Sequence, residues 1–324
     1  MAPTETDLLI IGAGPTGLYA AYYAGFRGLR VAVVDSLPEL GGQITAMYPE
    51  KAIFDVAGFP NVKGRDLVEG LVAQAASADP IYHLDRTAQT LRHHGDSVSV
   101  GLDDGTEISA GAVLITAGIG KFSPRPLPAG EGWLGRGMEF FVPSFAPYAG
   151  KDVVIVGGGD SAFDWALHLE PVARSVALVH RREAFRAHQR TVDQVRASSV
   201  EIITRAQVTS LRGDSTLSEI EITVDGEQPQ ARPAQAVVAA LGFLADLGPL
   251  QEWGIEVLKR HVVVAPSMQT SLERVFAAGD ITEYPGKVRL IAVGFGEAAT
   301  AVNNAAVAID PAAHVFPGHS SEGT

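Results

Sequence analysis

The sequence predicts an α/β protein made of two parallel-sheet nucleotide folds, one nested in the other, so that the outer fold is discontinuous. Three observations predict it. Two stretches, Leu8 to Asp35 and Asp152 to Val179, each carry a buried-strand run, a glycine-rich turn, a helical segment and a second strand, in that order. Two Gly/Pro-dense segments, Gly118 to Pro128 and Gly242 to Pro249, bracket the second of these stretches. A short apolar strand ending in Gly279-Asp280, followed by a helix candidate, then returns the chain to the first fold. The expected division is residues 1–117, then 118–243 as the inner fold, then 244–324 as the rest of the outer fold with a C-terminal tail.

Taking the elements in order, Leu8-Leu9-Ile10-Ile11 is the apolar run that a strand buried on both faces needs. Gly12-Ala-Gly14-Pro-Thr-Gly17 follows at once. Gly12 permits the tight turn, Gly14 lets a pyrophosphate approach the backbone, and Gly17 lets the helix pack on the sheet. The helix N-terminus supplies free N–H groups and partial positive charge for that pyrophosphate. Asp35 ends the next strand, 18 residues past Gly17, where a carboxylate accepts hydrogen bonds from ribose hydroxyls. This is a Rossmann-like dinucleotide site.

After Asp35 comes a second glycine pair, Gly41-Gly42, with Gln43 behind it and then Tyr48 before a proline. From the residues alone, Gln43 reads as a surface amide and Tyr48 as a packing residue. Residues 54–62 read as loop and Gly64 to Ala78 as an amphipathic helix. Ile81 to Ile108 alternates around Asp103-Asp104-Gly105, which predicts a small antiparallel insertion. Ala112 to Ile115 returns a buried strand, and Gly118 to Pro128 reads as the connection to the inner fold.

In that inner fold Asp152 to Val156 is the strand, and Gly157-Gly-Gly159-Asp-Ser-Ala162 supplies the GxGxxA turn, with a helix from Ser161 to about Leu169. The acid expected after the next strand is missing. Ser175 to Val179 runs instead into His180-Arg181-Arg182, with Arg186 close behind. A carboxylate there would repel a 2′-phosphate, whereas guanidinium groups pair with one bidentately. The second site is therefore read as one for NADP rather than NAD. Val200 to Val224 alternates again as a second hairpin insertion, and Ala236 to Leu241 returns a strand. Val275 to Ala278 then leads into Gly279-Asp280, and residues 293–308 form a helix candidate with small residues. Asp280 is placed to bind the polyol of a flavin, with the helix N-terminus near Gly296 facing its ring or phosphate.

Composition narrows the chemistry. The 324 residues contain no cysteine, which excludes disulfide, thiol, iron–sulfur and zinc–thiolate chemistry. A net charge of −12 argues against general nucleic-acid binding. No apolar run approaches the ~20 residues of a membrane helix, and Met1 to Thr6 carries no basic and apolar leader, so a cytoplasmic protein is expected. No histidine spacing of the HExxH type and no nucleophile–base arrangement is legible.

Two nested nucleotide folds, GGGDSA followed by HRREAFR, and the late Gly279-Asp280 resemble the thioredoxin-reductase-like flavoproteins over essentially the whole chain. That family keeps a Cys-x-x-Cys pair before the first strand of its NADPH domain. Counting back from Gly150-Lys151, Phe140 and Pro143 stand in its place, so dithiol chemistry is closed to this chain. GGQITAMYPEKAIFDVAGFPNV, PGKVRLIAVGFGEAATAVNN and the terminal FPGHSS look more narrowly like the ferredoxin–NADP⁺ reductases of the thioredoxin-reductase-like type. The resemblance implies FAD contacts at Thr16, at Asp35 on the adenosine ribose, at Gln43, at Ala88 and Phe122 towards the domain edges, and at Asp280 on the ribitol. It implies that Tyr48 stacks on one isoalloxazine face and His319 covers the other, with Ser321 beside the flavin. It also implies a homodimer.

The implied reaction is NADPH + two oxidised ferredoxins ⇌ NADP⁺ + two reduced ferredoxins + H⁺, with hydride passing to flavin N5 and electrons leaving singly. The flavin does this redox work, so no acid or base residue is nominated. Flavodoxin is a possible replacement for ferredoxin, and the cofactor motifs would serve equally a reductase of free flavin or quinone, or a non-catalytic FAD/NADP sensor. The acidic surplus is uneven. Residues 117–243 hold 13 Lys/Arg against 14 Asp/Glu, and the rest of the chain 12 against 23. Arg190 and Arg196, beyond the phosphate-binding arginines, are expected to help dock an acidic partner protein.

Overall fold

The computed structural model describes residues 4–316 and 318. The tail positions nominated above, His319 and Ser321, lie outside the described residues. The chain divides into two compact units, one comprising the described residues up to Lys121 together with those from Ala245, the other Phe122–Leu244.

In the first unit the leading apolar run becomes β1 (Thr4–Ile11), followed by helix α1 (Pro15–Phe26) and strand β2 (Val31–Asp35). Helices α2 (Gln43–Met47) and α3 (Gly64–Ala75) lead to β3 (Ile81–Leu84), β4 (Ala88–His93), β5 (Val98–Leu102) and the nine-residue β6 (Glu107–Ile115). The sheet order is β3-β2-β1-β6-β5-β4. Two sequence expectations need correction here. Ile81–Leu84 pairs parallel with β2, so it belongs to the nucleotide sheet and not to an antiparallel insertion. The antiparallel hairpin β4–β5 is no separate insertion either, because β5 pairs with the first half of β6 and extends the same sheet. Alternation marks a strand with unlike faces, but it does not reveal which neighbour the strand will find.

The chain then crosses through β7 (Lys121–Pro124) into the second unit, where β8 (Met138–Glu139), β9 (Asp152–Val156), α4 (Asp160–Leu169), β10 (Ser175–Val179), α5 (Gln189–Ala197) and β11 (Glu201–Ile203) are laid down. Strands β12 (Ala206–Gly213), β13 (Leu217–Val224) and β14 (Gln230–Pro233) form a separate antiparallel sheet, after which β15 (Ala236–Ala239) closes a parallel sheet of order β8-β15-β9-β10-β11. The alternating run from Val200 therefore splits, its first residues joining the parallel sheet. The return crossing is β16 (Phe243–Asp246), and it pairs with β7. The chain re-enters the first sheet as β17 (Val275–Ala277) beside β6 and ends its regular structure in α6 (Ile291–Ile309).

The core of the first unit is the strand set read from the sequence. Leu8, Leu9 and Ile10 are fully buried, each such side chain contributing about 1.5–3 kcal/mol. Ala20, Ala21 and Ala24 of α1 and Ala298, Ala301 and Ala305 of α6 are buried too, small side chains that let helices lie close to the sheet. Among the described residues no helix is long and apolar enough to cross a membrane.

Candidate functional site

In the first unit two helix starts meet one turn. Helix α1 begins behind Gly14 with no side chain capping it, so its first N–H groups remain open to a ligand. Gly17, the third glycine, is pressed onto the loop: a Cβ there would lie 1.8 Å from the Gly12 carbonyl oxygen. Around Gly14 the space for a side chain is empty. The second helix start is that of α6. A Cβ on Gly294, in its first turn, would stand 2.6 Å from Thr16 Oγ1, and one on Gly279 2.9 Å from the same atom. Thr16 thus sits where α1, α6 and the Gly279–Asp280 turn converge.

The sequence reading begins this last helix at Val293, with its N-terminal end near Gly296, and the structure begins it two residues earlier, at Ile291. The reason is a distant cap. Asp55, in the loop read as featureless, accepts the Ile291 N–H through Oδ2 at 2.9 Å. No residue next to the helix start signals this, so sequence reasoning could not have found it.

Asp35 is buried, and its carboxylate is engaged within the protein. Oδ2 accepts the Ala13 N–H at 2.6 Å and Oδ1 the Leu37 N–H at 2.8 Å. Burial pushes its carboxyl above the ordinary carboxylate range, against the pull of these two donors. It therefore fixes the glycine loop, and each oxygen keeps a further lone pair. The Gly41-Gly42 pair packs on that loop, with the Gly41 N–H donating to the Ala13 carbonyl at 2.9 Å. Gln43 lies beside Gly118, whose Cβ position is 3.2 Å from Gln43 Nε2. The Arg86 N–H donates to the Asp35 carbonyl, so the chain passes this corner just before Ala88, which is buried at the start of β4. Phe122 falls in β7.

Tyr48 and Asp280 line one open cleft of about 430 Å³ together with Lys51, Asp55, Arg289 and Ile291. Burial, reinforced by the charges of Asp280 and Asp55, pushes the Tyr48 phenol up to about 12. Burial also raises the Asp280 carboxyl, opposed by Lys287 and Arg289. The structure thus brings Tyr48, Thr16 and Asp280 together on the cleft and its adjoining helix starts. An open glycine loop, two helix N-termini and a carboxylate beside an aromatic wall fit a group carrying a pyrophosphate, a polyol and a flat ring.

The second unit holds its own glycine turn at a helix start. A Cβ on Gly157 would lie 2.4 Å from the Ala240 carbonyl oxygen and 3.0 Å from Ala162 Cβ, which is why the turn closes on alanine. Gly159 precedes α4 with open space where a side chain would project and no side-chain cap on the helix. The His180 ring lies on Gly158, leaving 2.3 Å to a Cβ there. Burial holds this imidazole below its ordinary range, and the neighbouring arginines push the same way. The segment after His180 curls back, its Arg186 N–H donating to the Gly158 carbonyl at 2.8 Å and its His188 N–H to Asp160 Oδ1 at 2.8 Å. Arg181, Arg182 and Arg186 are exposed and, among the described residues, none is paired with a carboxylate. Arg196 rests 5.9 Å over the Phe185 ring and 3.9 Å from Asp193, while Arg190 is exposed. Among the described residues no cluster of His, Asp and Glu has the make-up of a metal centre.

This geometry defines a two-nucleotide oxidoreductase fold, and the comparisons agree. A profile of the pyridine nucleotide-disulphide oxidoreductase family matches residues 6–308. Thioredoxin reductase from Lactococcus lactis superposes with a TM-score of 0.80 at 22% identity, covering 94% of this chain and 99% of that one. The enzyme from T. acidophilum gives 0.80 at 23%, covering 94% and 97%. At such identities the likeness is one of fold. In sequence, the chain is 80% identical to a ferredoxin–NADP reductase of Nocardioides sp. over 99% of this chain and 98% of that protein. It is 62% identical to one of Saccharopolyspora erythraea, with 98% of each covered, and 48% identical to ferredoxin–NADP reductase 2 of Shouchella clausii, with 97% of each covered. The chain belongs to the ferredoxin–NADP reductases, within the pyridine nucleotide-disulphide oxidoreductase family.

Proposed function

We propose that this protein carries electrons between NADPH and ferredoxin through FAD, in the cytoplasm and as a homodimer, with flavodoxin able to replace ferredoxin. The observation that carries the reading is the convergence of the α1 and α6 starts on Thr16 beside the Gly279–Asp280 turn, with Asp280 lining the Tyr48 cleft, in a chain that also keeps, behind a second glycine loop, three arginines with no carboxylate partner among the described residues. The absence of cysteine supports an acceptor other than a disulfide. The homodimer and the cytoplasmic setting rest on the family resemblance.

In this reading the α1 start and Gly14 hold the pyrophosphate of FAD, Asp35 the adenosine ribose and Asp280 the ribitol. Gln43, Thr16, Ala88 and Phe122 complete the contacts, and Tyr48 covers one ring face. The chemistry supplied by bound FAD is acceptance of a hydride at N5 and release of electrons one at a time. Gly157, Gly159 and Ala162 let the NADPH pyrophosphate reach the α4 start, while His180, Arg181, Arg182 and Arg186 face its 2′-phosphate. Tyr48 stays a neutral phenol over the working pH range, so it shields the ring without adding charge beside it.

Steady-state reduction of cytochrome c by NADPH, with and without added ferredoxin, tests the proposal. Strong ferredoxin dependence is expected. Turnover indifferent to ferredoxin would assign a flavin or quinone acceptor instead, and a flavin-loaded protein that fails to turn over would be a sensor.

A further inference from the structure

One buried titratable cluster has no part in the function above. Lys287 and Glu297 have side chains 1% and 5% exposed and are 2.5 Å apart. Among the described residues this is the one ion pair with both side chains below a tenth exposed. Taking two charges out of water costs several kcal/mol per ion unless their remaining hydrogen-bonding capacity is filled, and here it is filled in a particular way. Glu297 Oε2 accepts the Gly279 N–H at 2.7 Å, and Lys287 Nζ donates to the Gly279 carbonyl at 3.0 Å. The Tyr284 hydroxyl donates to Glu297 Oε1 at 2.5 Å, and the Thr282 hydroxyl donates to the Gly279 carbonyl at 2.8 Å. Both peptide groups flanking Gly279 are thus gripped, one by each charge.

Gly279 has φ +84, in the left-handed region open to glycine. The turn is therefore of a kind that needs outside support to stay in one conformation. Because the 279–280 peptide is trans and planar, fixing its carbonyl on Lys287 turns the Asp280 N–H the opposite way, out of the cluster. That N–H has no acceptor among the described residues. The Asp280 side chain lines the Tyr48 cleft.

We propose that Lys287 and Glu297 are positioning residues: a buried charge clamp on Gly279 that presents the Asp280 carboxylate and N–H to the flavin polyol. The inference rests on the reading that Asp280 holds that polyol. A pair that merely stabilised the fold could be exchanged for apolar side chains of similar size with little loss. A clamp could not, because the Gly279 N–H would lose its acceptor and the Gly279 carbonyl its charged donor, leaving that carbonyl to Thr282 alone.

The test is the double variant K287M/E297M, read by thermal unfolding, by the rate at which fluorescent FAD leaves the purified holoenzyme, and by hydrogen exchange at residues 279–282. The clamp predicts a folded protein with FAD release faster on the order of tenfold or more and faster exchange confined to the turn. In a D280N background, which keeps the backbone N–H but loses the carboxylate, the further effect on release should be smaller than in the wild type. Wild-type release and exchange in K287M/E297M, or effects that add fully to those of D280N, would overturn the clamp. Should the double variant not fold, E297Q, which keeps an acceptor for the Gly279 N–H but removes the charge, decides by the same readouts. If the wild-type chain takes up no FAD, the flavin reading itself fails, and exchange at the turn still decides the clamp.

Discussion

Gly14→Ala separates the demands of the fold from those of the ligand. Gly14 has φ −71 and ψ −176, backbone that alanine adopts freely, and no protein atom lies within 4 Å of where its Cβ would stand. Alanine should leave the flavin-free protein as stable as before, or more stable by about 0.4–1 kcal/mol through the lost freedom of the unfolded chain. The new methyl occupies the space through which a pyrophosphate meets the backbone. Losing one charge-assisted hydrogen bond there removes about 1.5–3 kcal/mol of binding, roughly tenfold to hundredfold in FAD affinity. Gly17→Ala is the contrasting control. Its Cβ would stand 1.8 Å from the Gly12 oxygen and 2.7 Å from Thr116 Oγ1, so the protein should fail to fold. The assay is a FAD titration of flavin-free protein by fluorescence quenching, alongside a circular-dichroism melt. A Gly14→Ala protein that binds FAD as wild type does, or one that melts early without ligand, would refute the reasoning.

Replacing Arg181 and Arg182 together by glutamine should weaken NADPH binding on the order of a hundredfold while leaving NADH turnover unchanged; the ratio of KM values for the two coenzymes checks it. Asp55→Ala should destabilise the first unit by about 1 kcal/mol through the lost cap, lowering Tm by about 2–4 °C, with faster amide exchange concentrated at the start of α6. The Tyr48 phenol, raised to about 12, keeps its proton in the folded state after an unfolded tyrosine would have lost it near pH ~10. The folded state binds more protons in that window, so stability falls as pH rises through it; Tyr48→Phe should make the fall shallower in alkaline urea titrations. Arg190→Glu with Arg196→Glu should slow ferredoxin reduction, most at low salt, while reduction of ferricyanide by NADPH is unchanged.

The glycine loops were legible because their constraints are local: strand, turn, helix and the spacing to Asp35 or to Arg181 all lie within one βαβ unit. The nesting was legible from the Gly/Pro segments for the same reason. What escaped depended on partners distant in sequence. The α6 start is capped by a residue 236 positions earlier, and Ile81–Leu84 shows its place only once β2 lies beside it. Glu297 did leave a trace, a lone charge inside the run GFGEAATA, but nothing in the chain says that Lys287 and Gly279 will meet it. The His180 ring on Gly158 likewise gives a histidine read for its charge a second task, as a wall for the loop.

The two crossing strands, β7 and β16, run side by side, so the inserted unit leaves and rejoins its host through one doorway. Neither parallel sheet borrows a strand from the other. The inserted unit is in that sense a cassette: its glycine turn and its arginines can be rewritten without unpicking a single ladder of the other unit's parallel sheet.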